Sequence, residues 1–356
     1  MKTKIQLALI LLVTGICGFA VNAESASSND FVIKNGVLIK YKGKSADVVI
    51  PNSVKKIDSY AFSGNKSLKS VVIPNSVTSI ESDPNSMEGG AFASCINLVS
   101  VTVSGSVTKI GDSAFVDCSK LSKLTLSEGL VTISKGAFNG CKSLIDVKIP
   151  NSVKSIGSYA FCNSGIREII IPANVKNIEF AAFGLCDELS EINVVSGNKT
   201  YNSLDGVLFS KDMTKIISYP TAKIDAEYFI PSSVSRIGNY AFYGNIFLEK
   251  VEITGNLKSI NPYAFDSCKN LKSIIIPNTV TEIAYRAFQD CYKLEKITIP
   301  NSVVKWGLIE FDMGAGKTDI QEGPVFDGCD DLIIYCKSGS GAHLHAQKYN
   351  VKFKLI

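Results

Sequence analysis

The residues with the widest chemical scope in this 356-residue chain are ten cysteines and two histidines. Seven cysteines occupy one recurring position, four residues after an alanine or, for the last, after Val325: Cys95, Cys118, Cys141, Cys186, Cys268, Cys291 and Cys329. In an exported chain, cysteines ordinarily pair as disulfides. Neighbouring strands about 4.8 Å apart bring such residues within bridging range. Equivalent positions, however, aim their side chains in parallel, and Asn65 and Asn245 share the same column without any capacity to bridge. The column therefore reads as free, buried thiols filling a turn. Cys162 and Cys336 lie off it, and their state stays open.

His343 and His345 stand near Cys329 and Cys336. The gap between those cysteines exceeds the short spacing of a Cys₂His₂ zinc site, so no metal is expected. As the two histidines of the chain, they confine any Ser-His-Asp or Cys-His set to its C-terminal end. Gly-x-Ser-x-Gly, His-Glu-x-x-His and Cys-x-x-Cys are absent. Gly314-Ala315-Gly316-Lys317-Thr318 looks like a phosphate-loop fragment, but Phe311 stands where the motif needs its first glycine. It reads as a Gly-rich insertion, and no cofactor is expected.

The elements that position these residues follow from a repeat. Ala-Phe recurs at 61, 91, 114, 137, 160, 182, 241, 264 and 287, with a degenerate copy at Val325-Phe326. The common step is 23 residues; longer steps mark insertions at Glu81–Gly90 and Gly307–Pro324 and a break between Phe183 and Phe242. One unit reads Ala-Phe-x-x-Cys-x-x-Leu-x-x-Val-x-Ile-Pro-x-Ser-Val-x-x-Ile, complete from Ala137. A unit this short buries its apolar side only against its neighbours, so the units stack as a solenoid. Leu-x-x-Val-x-Ile alternates like a strand, and equivalent strands pair in parallel. The proline ends the ladder, and the Ala-Phe segment is a tight or 3₁₀ turn. The recurrent phenylalanine, always beside alanine, is a core position rather than a ligand platform.

Asn35-Gly36-Val37-Leu38-Ile39 and Asp205-Gly206-Val207-Leu208-Phe209 resemble each other and read as hairpins. The division is then a cap hairpin at 24–50, repeats at 51–194, an irregular hairpin block at 195–230, repeats at 231–332 and a C-terminal cap at 333–356, all in one continuous solenoid. Residues 1–23 read as a signal peptide: Lys2 and Lys4, an apolar stretch from Ile5, and Val21-Asn22-Ala23 as cleavage site. No other run approaches a membrane span. The net charge of +4 and the presence of only Arg167, Arg236 and Arg286 argue against nucleic acid as a partner.

The unit resembles the BspA-like class of bacterial leucine-rich repeats, and residues 334–340 and 346–353 are similar to that family's closing segment. The resemblance implies a leucine-rich-repeat solenoid with a parallel β-sheet on one face and short turns on the other. It also implies a secreted or surface-exposed protein, often an adhesin toward host proteins or other cells.

Candidate partner-binding residues come from two places. Outward strand positions carry Lys123, Asp146, Lys148, Glu168, Glu191, Lys250, Glu252 and Lys296, on a face read as polar, mixed in sign and without aromatics. Such a face serves equally well as a solvated surface. The second insertion carries Glu310, Phe311, Asp312, Asp319 and Glu322, a composition packing does not require. The expectation is an exported, non-enzymatic protein binding an extracellular protein or glycan. The alternatives are a passive structural spacer and a hydrolase using carboxylates of the sheet face. Asn65 and Asn198 head glycosylation sequons that matter only in a eukaryotic source.

Overall fold

Each 23-residue unit becomes one coil with a longer strand, a shorter strand and a turn. The computed structural model describes residues 26–83, 89–312 and 318–356, with the side chains of 311 and 312 outside that description. The signal reading of residues 1–23 and the Gly314–Lys317 fragment lie outside the described residues.

Leu-x-x-Val-x-Ile supplies the longer strand. Ser70–Ile73, Ser100–Val103 and Lys123–Leu126 pair in parallel with no register shift, aligning Val71, Val101 and Leu124. The two-residue side-chain period then turns Val71 and Val101 into the core and Ser70, Ser100 and Lys123 outward. Val-x-x-Ile supplies the shorter strand, with Ile57, Ile80, Ile110, Ile133 and Ile156 in one buried row. Proline ends the longer strand and its carbonyl accepts the N–H of the valine three residues on, as from Val153 to Pro150 at 3.1 Å.

The Ala-Phe turn has a regular two-way hydrogen-bond pattern. In one coil, Ser113, Phe115 and Asp117 donate their N–H groups to Lys135, Ala137 and Asn139 of the next coil. Ala114, Val116 and Cys118 donate back to Gly111, Ser113 and Phe115. This pattern places Ser113 (φ 53°) and Asp117 (φ 56°) in the left-handed region, as it does two residues in most coils. Glycine fills both positions in the following coil, at Gly136 and Gly140. Where another residue does so, the backbone pays about 1–2 kcal/mol.

Each cysteine of the column hydrogen-bonds through Sγ to the phenylalanine carbonyl of the preceding coil, at 3.0–3.2 Å. All nine described cysteines are free and buried. Burial pushes the Cys95 and Cys162 thiols up to about 12, so they stay protonated and unreactive. Asn65 and Asn245 open the column in the coils that follow the hairpins, each with its Oδ1 accepting two backbone N–H groups of its own turn.

The ten phenylalanines do not form one stack. The first series runs Tyr41, Phe62, Phe92, Phe115, Phe138, Phe161 and Phe183, with ring centroids 4.7–5.9 Å apart. The second begins anew at Tyr219 and continues through Phe242, Phe265, Phe288 and Phe326. Each series starts from an antiparallel hairpin. Phe31–Lys34 pairs with Val37–Tyr41, and Tyr201–Leu204 with Val207–Ser210. Both hairpins turn through two left-handed residues, Asn35-Gly36 and Asp205-Gly206, as a tight two-residue connection requires. Strand Val207–Ser210 is buried on both sides: Leu208 joins the first core, and Val207 and Phe209 join the second. The chain continues through Lys215–Ser218 and returns to parallel pairing at Glu227–Ile230 with Lys250–Ile253.

The second insertion folds as an antiparallel hairpin, Leu308–Asp312 with Thr318–Glu322. The chain closes with a helix, Gly341–Lys348, capped by Ser340, and strand Lys352–Leu355 laid parallel to Ile333–Cys336. No helix among the described residues is long and apolar enough to cross a membrane. Asn198 is buried, its amide donating to the carbonyls of Pro172 and Val175, so that sequon is inaccessible in the folded chain.

Candidate functional site

The outward charges do not gather into one site. The longer strands fall into separate sheets of four, two, three and three strands. Lys123 lies at the edge of the first sheet; Glu168 and Glu191 pair side by side in the second. Lys250 and Glu252 lie in the third, and Lys296 in the fourth. Asp146 and Lys148 are exposed but belong to no strand, contrary to their placement from the repeat. They border the coil that is one residue short between Ser164 and Ile166, where Ser164 takes the column position and meets Cys186 Sγ at 3.4 Å.

Part of this charge, at Lys250 and Glu252, is paired locally. Lys250 Nζ lies 3.5 Å from Glu227 and 3.2 Å from Glu252, and these carboxylates, Glu252 first, hold its pKa above the ordinary lysine range. Glu227 belongs to a strand that the irregular spacing concealed. That strand also overturns the reading of an aromatic-free face, because Phe229 is its second outward residue and is 55% exposed. Ile170 and Ile275 are similarly exposed in the same column.

On the hairpin, Glu310, Asp319 and Glu322 are exposed. The side chains of Phe311 and Asp312 lie outside the described residues. Glu322 accepts from Lys348 Nζ at 2.8 Å, tying the hairpin to the closing helix. At its base, Gly323 lies against the Tyr285 ring so closely that a Cβ would clash.

The histidines are occupied structurally. His345 is buried between Trp306 and Tyr349, with its Nε2 accepting the Val325 N–H at 3.3 Å. His343 Nδ1 accepts the Gly339 N–H at 3.0 Å. Among the described residues, no group of three or more His, Cys, Asp or Glu side chains is arranged to hold a metal.

A further surface escaped the sequence reading. Tyr159, Phe180, Tyr240, Tyr263 and Tyr285 form a continuous aromatic row along the turn side, with centroid spacings of 4.6–5.9 Å. Tyr243 joins it beside Tyr240, and Arg286 caps it over Tyr285 at 5.0 Å. The row crosses from the first core to the second. Its signal was present: Tyr60, Tyr159, Tyr240 and Tyr263 each precede Ala-Phe. All four take the left-handed backbone, with φ between 55° and 65°. At the junction of the halves, Ile178, Glu179, Phe180, Lys215, Ile217, Gly238 and Asn239 line a cleft of about 240 Å³.

The BspA type leucine-rich repeat region, in six copies, matches residues 39–84, 85–213 and 200–312. A leucine-rich repeat protein from Eubacterium ventriosum is similar in structure, with a TM-score of 0.64 and 30% identity over 76% of this chain and 67% of that one. A leucine-rich cell surface protein from Faecalibacterium prausnitzii is 27% identical, with a TM-score of 0.59 over 92% and 98% of the two chains. The pneumococcal vaccine antigen PcpA shares the fold at 23% identity, with a TM-score of 0.58 over 87% of this chain and 78% of that one. No curated protein matches the chain.

Proposed function

The chain belongs to the BspA-type leucine-rich repeat family, and from that premise we propose that it is an exported, non-enzymatic surface protein that binds an extracellular protein or glycan. The observation that carries this reading is the hairpin Leu308–Glu322. Coil stacking accounts for the repeat columns, whereas strand Thr318–Glu322 is exposed throughout and adds nothing to either core. Beyond the exposed Glu322–Lys348 pair a solenoid gains little stability from such a projection, and a contact surface is the function that fits it. Its exposed carboxylates suit a basic patch on the partner. A surface location is supported by the family and by the Faecalibacterium prausnitzii protein, which is described as a cell surface protein.

The sheet face has the smaller part in this proposal, because its Lys250 is already paired with Glu227 and Glu252. The test is a binding screen against extracellular matrix proteins and mucin glycans, repeated with residues 308–322 deleted. Thermal unfolding should change little, and affinity for the partner found should fall at least tenfold. Binding by the parent should also weaken as salt rises, since exposed charges are screened. Equal binding by the deletion variant defeats the hairpin, and a screen with no partner favours the passive spacer.

A further inference from the structure

We propose that the junction cleft is a binding site for a carboxylated pyranose, the uronic or sialic acid unit of an anionic polysaccharide. The cleft exists because the solenoid is interrupted. Strand Asn177–Ile178 ends its sheet, and among the described residues no strand pairs with its far side. Tyr201 partly closes that edge: its hydroxyl accepts the Ile178 N–H at 2.7 Å and donates to the Lys176 carbonyl at 3.4 Å. The next shorter strand in space, Lys215–Ser218, belongs to the second sheet and pairs onward with Arg236–Ile237. The space left between them, about 240 Å³, is below the roughly 300–1,000 Å³ of drug-sized sites and suits one small ring.

Four groups around it have chemistry that packing leaves unused. Phe180 is 42% exposed. Tyr240 covers one face of its ring, 5.6 Å away and 21° from parallel, and Tyr159 meets it edge-on. Its exposed surface, which lines the cleft, is available to the apolar C–H side of a sugar. Lys215 is half-buried and forms an ion pair with no carboxylate among the described residues. Its strand partner is another cation, Arg236. Burial, with Arg236 adding to it, pushes the Lys215 ammonium below the ordinary lysine range. A cation so placed favours an anion, and the carboxylate of the sugar supplies one.

The other two groups serve hydroxyls. Asn239 Oδ1 accepts from Asn261 Nδ2 at 3.0 Å, which leaves the Asn239 amide hydrogens for a sugar oxygen. Glu179 is held in place by the Ser158 N–H at 2.9 Å and by Asn177 Nδ2 at 3.4 Å. Each of its oxygens keeps a lone pair for a hydroxyl donor. An aromatic face, a cation without a partner, an amide and a fixed carboxylate together select a ring that is apolar on one side, hydroxylated at its rim and negatively charged. A neutral sugar leaves Lys215 unmatched. A small inorganic anion leaves Phe180 without a contact.

This site is independent of the hairpin, so either reading can fail alone. The test is affinity electrophoresis or calorimetry of the whole chain against polygalacturonate and polysialic acid, with dextran as neutral control and inorganic phosphate as competitor. Binding to either acidic polymer, none to dextran and little competition by phosphate is expected. Lys215→Met keeps the apolar stem and should weaken binding at least tenfold, as should Phe180→Ala. Deleting 308–322 should leave it unchanged. Thermal unfolding of each variant shows whether it is folded; should Phe180→Ala unfold, Lys215→Met decides alone. The proposal is overturned if neither acidic polymer binds, if dextran binds as well, if phosphate displaces the polymer completely, or if Lys215→Met binds like the parent.

Discussion

Phe138 has a phenylalanine ring 5.3 Å away on each side and no exposed surface. Phe138→Ala removes contacts to two neighbouring coils at once and should cost about 3–5 kcal/mol, read as a lowered midpoint in urea. A variant as stable as the parent would mean that the ring stack is not a core. Asp266 is a second test at single-residue resolution. It is buried, with Oδ1 accepting from Ser267 Oγ at 2.9 Å, and desolvation, aided by Asp290, raises its pKa from 3.8 to about 6. The folded state therefore binds this proton more tightly than the unfolded chain, so its contribution to stability falls as pH rises from about 4 to 6. Asp266→Asn keeps the acceptor without the charge. It should stabilise the protein by about 1–3 kcal/mol at pH 7, and the gain should vanish below pH 4. A gain independent of pH would show that ionisation is not the cause.

Among the elements, the closing helix has a pH-dependent attachment. Helix Gly341–Lys348 buries Ala342, His345 and Ala346. Desolvation lowers His345 from 6.5 to about 4, with Lys348 acting in the same direction and Glu322 opposing it. Here the unfolded chain binds the proton more tightly. Stability from the neutral imidazole is complete above about pH 6.5 and is lost as pH falls toward 4, up to about 3 kcal/mol. His345→Gln should remove that slope, measured as the difference in unfolding free energy between parent and variant from pH 7 to pH 4. A constant difference would place the acid sensitivity elsewhere. The hairpin and the aromatic row illustrate another element-level point. Both depart from what the repeat requires, one by added length and the other by aromatic side chains, Tyr159, Tyr240 and Tyr263 among them at left-handed positions. Departures of this kind mark places where something other than coil stacking is being served.

For the whole molecule, the interruption at 201–218 matters most. The buried residues form two clusters, joined through strand Val207–Ser210, and each has its own ring series. Trp306, the single tryptophan, belongs to the second cluster and packs on His345. In repeat proteins stability is carried by contacts between neighbours, so damage in one cluster should be felt mainly there. In Phe138→Ala, loss of far-UV ellipticity should begin at lower temperature than the change in Trp306 fluorescence. Coincident transitions would show that the central strand couples the halves into one cooperative unit.

The parallel coils, the buried Phe and Cys columns and both hairpins were legible in the sequence, because coil stacking repeats one environment every 23 residues and so imprints one residue type per position. The strand Glu227–Ile230, with Glu227 and Phe229 on the face, was concealed because no Ala-Phe stands before it within the irregular block. The charge balance around Lys250 depended on that strand and was concealed with it. Asp146 and Lys148 stand in a coil without a longer strand, beside the one that is a residue short, and the repeat pattern, which gives both coils the same outward positions, does not distinguish them. The tyrosines before Ala-Phe were visible one by one, but their assembly into a row requires residues 159 and 240 to meet across the junction. The cleft is tertiary for the same reason. It arises where two regular sheets fail to join, and periodicity describes each sheet while carrying no information about the gap between them.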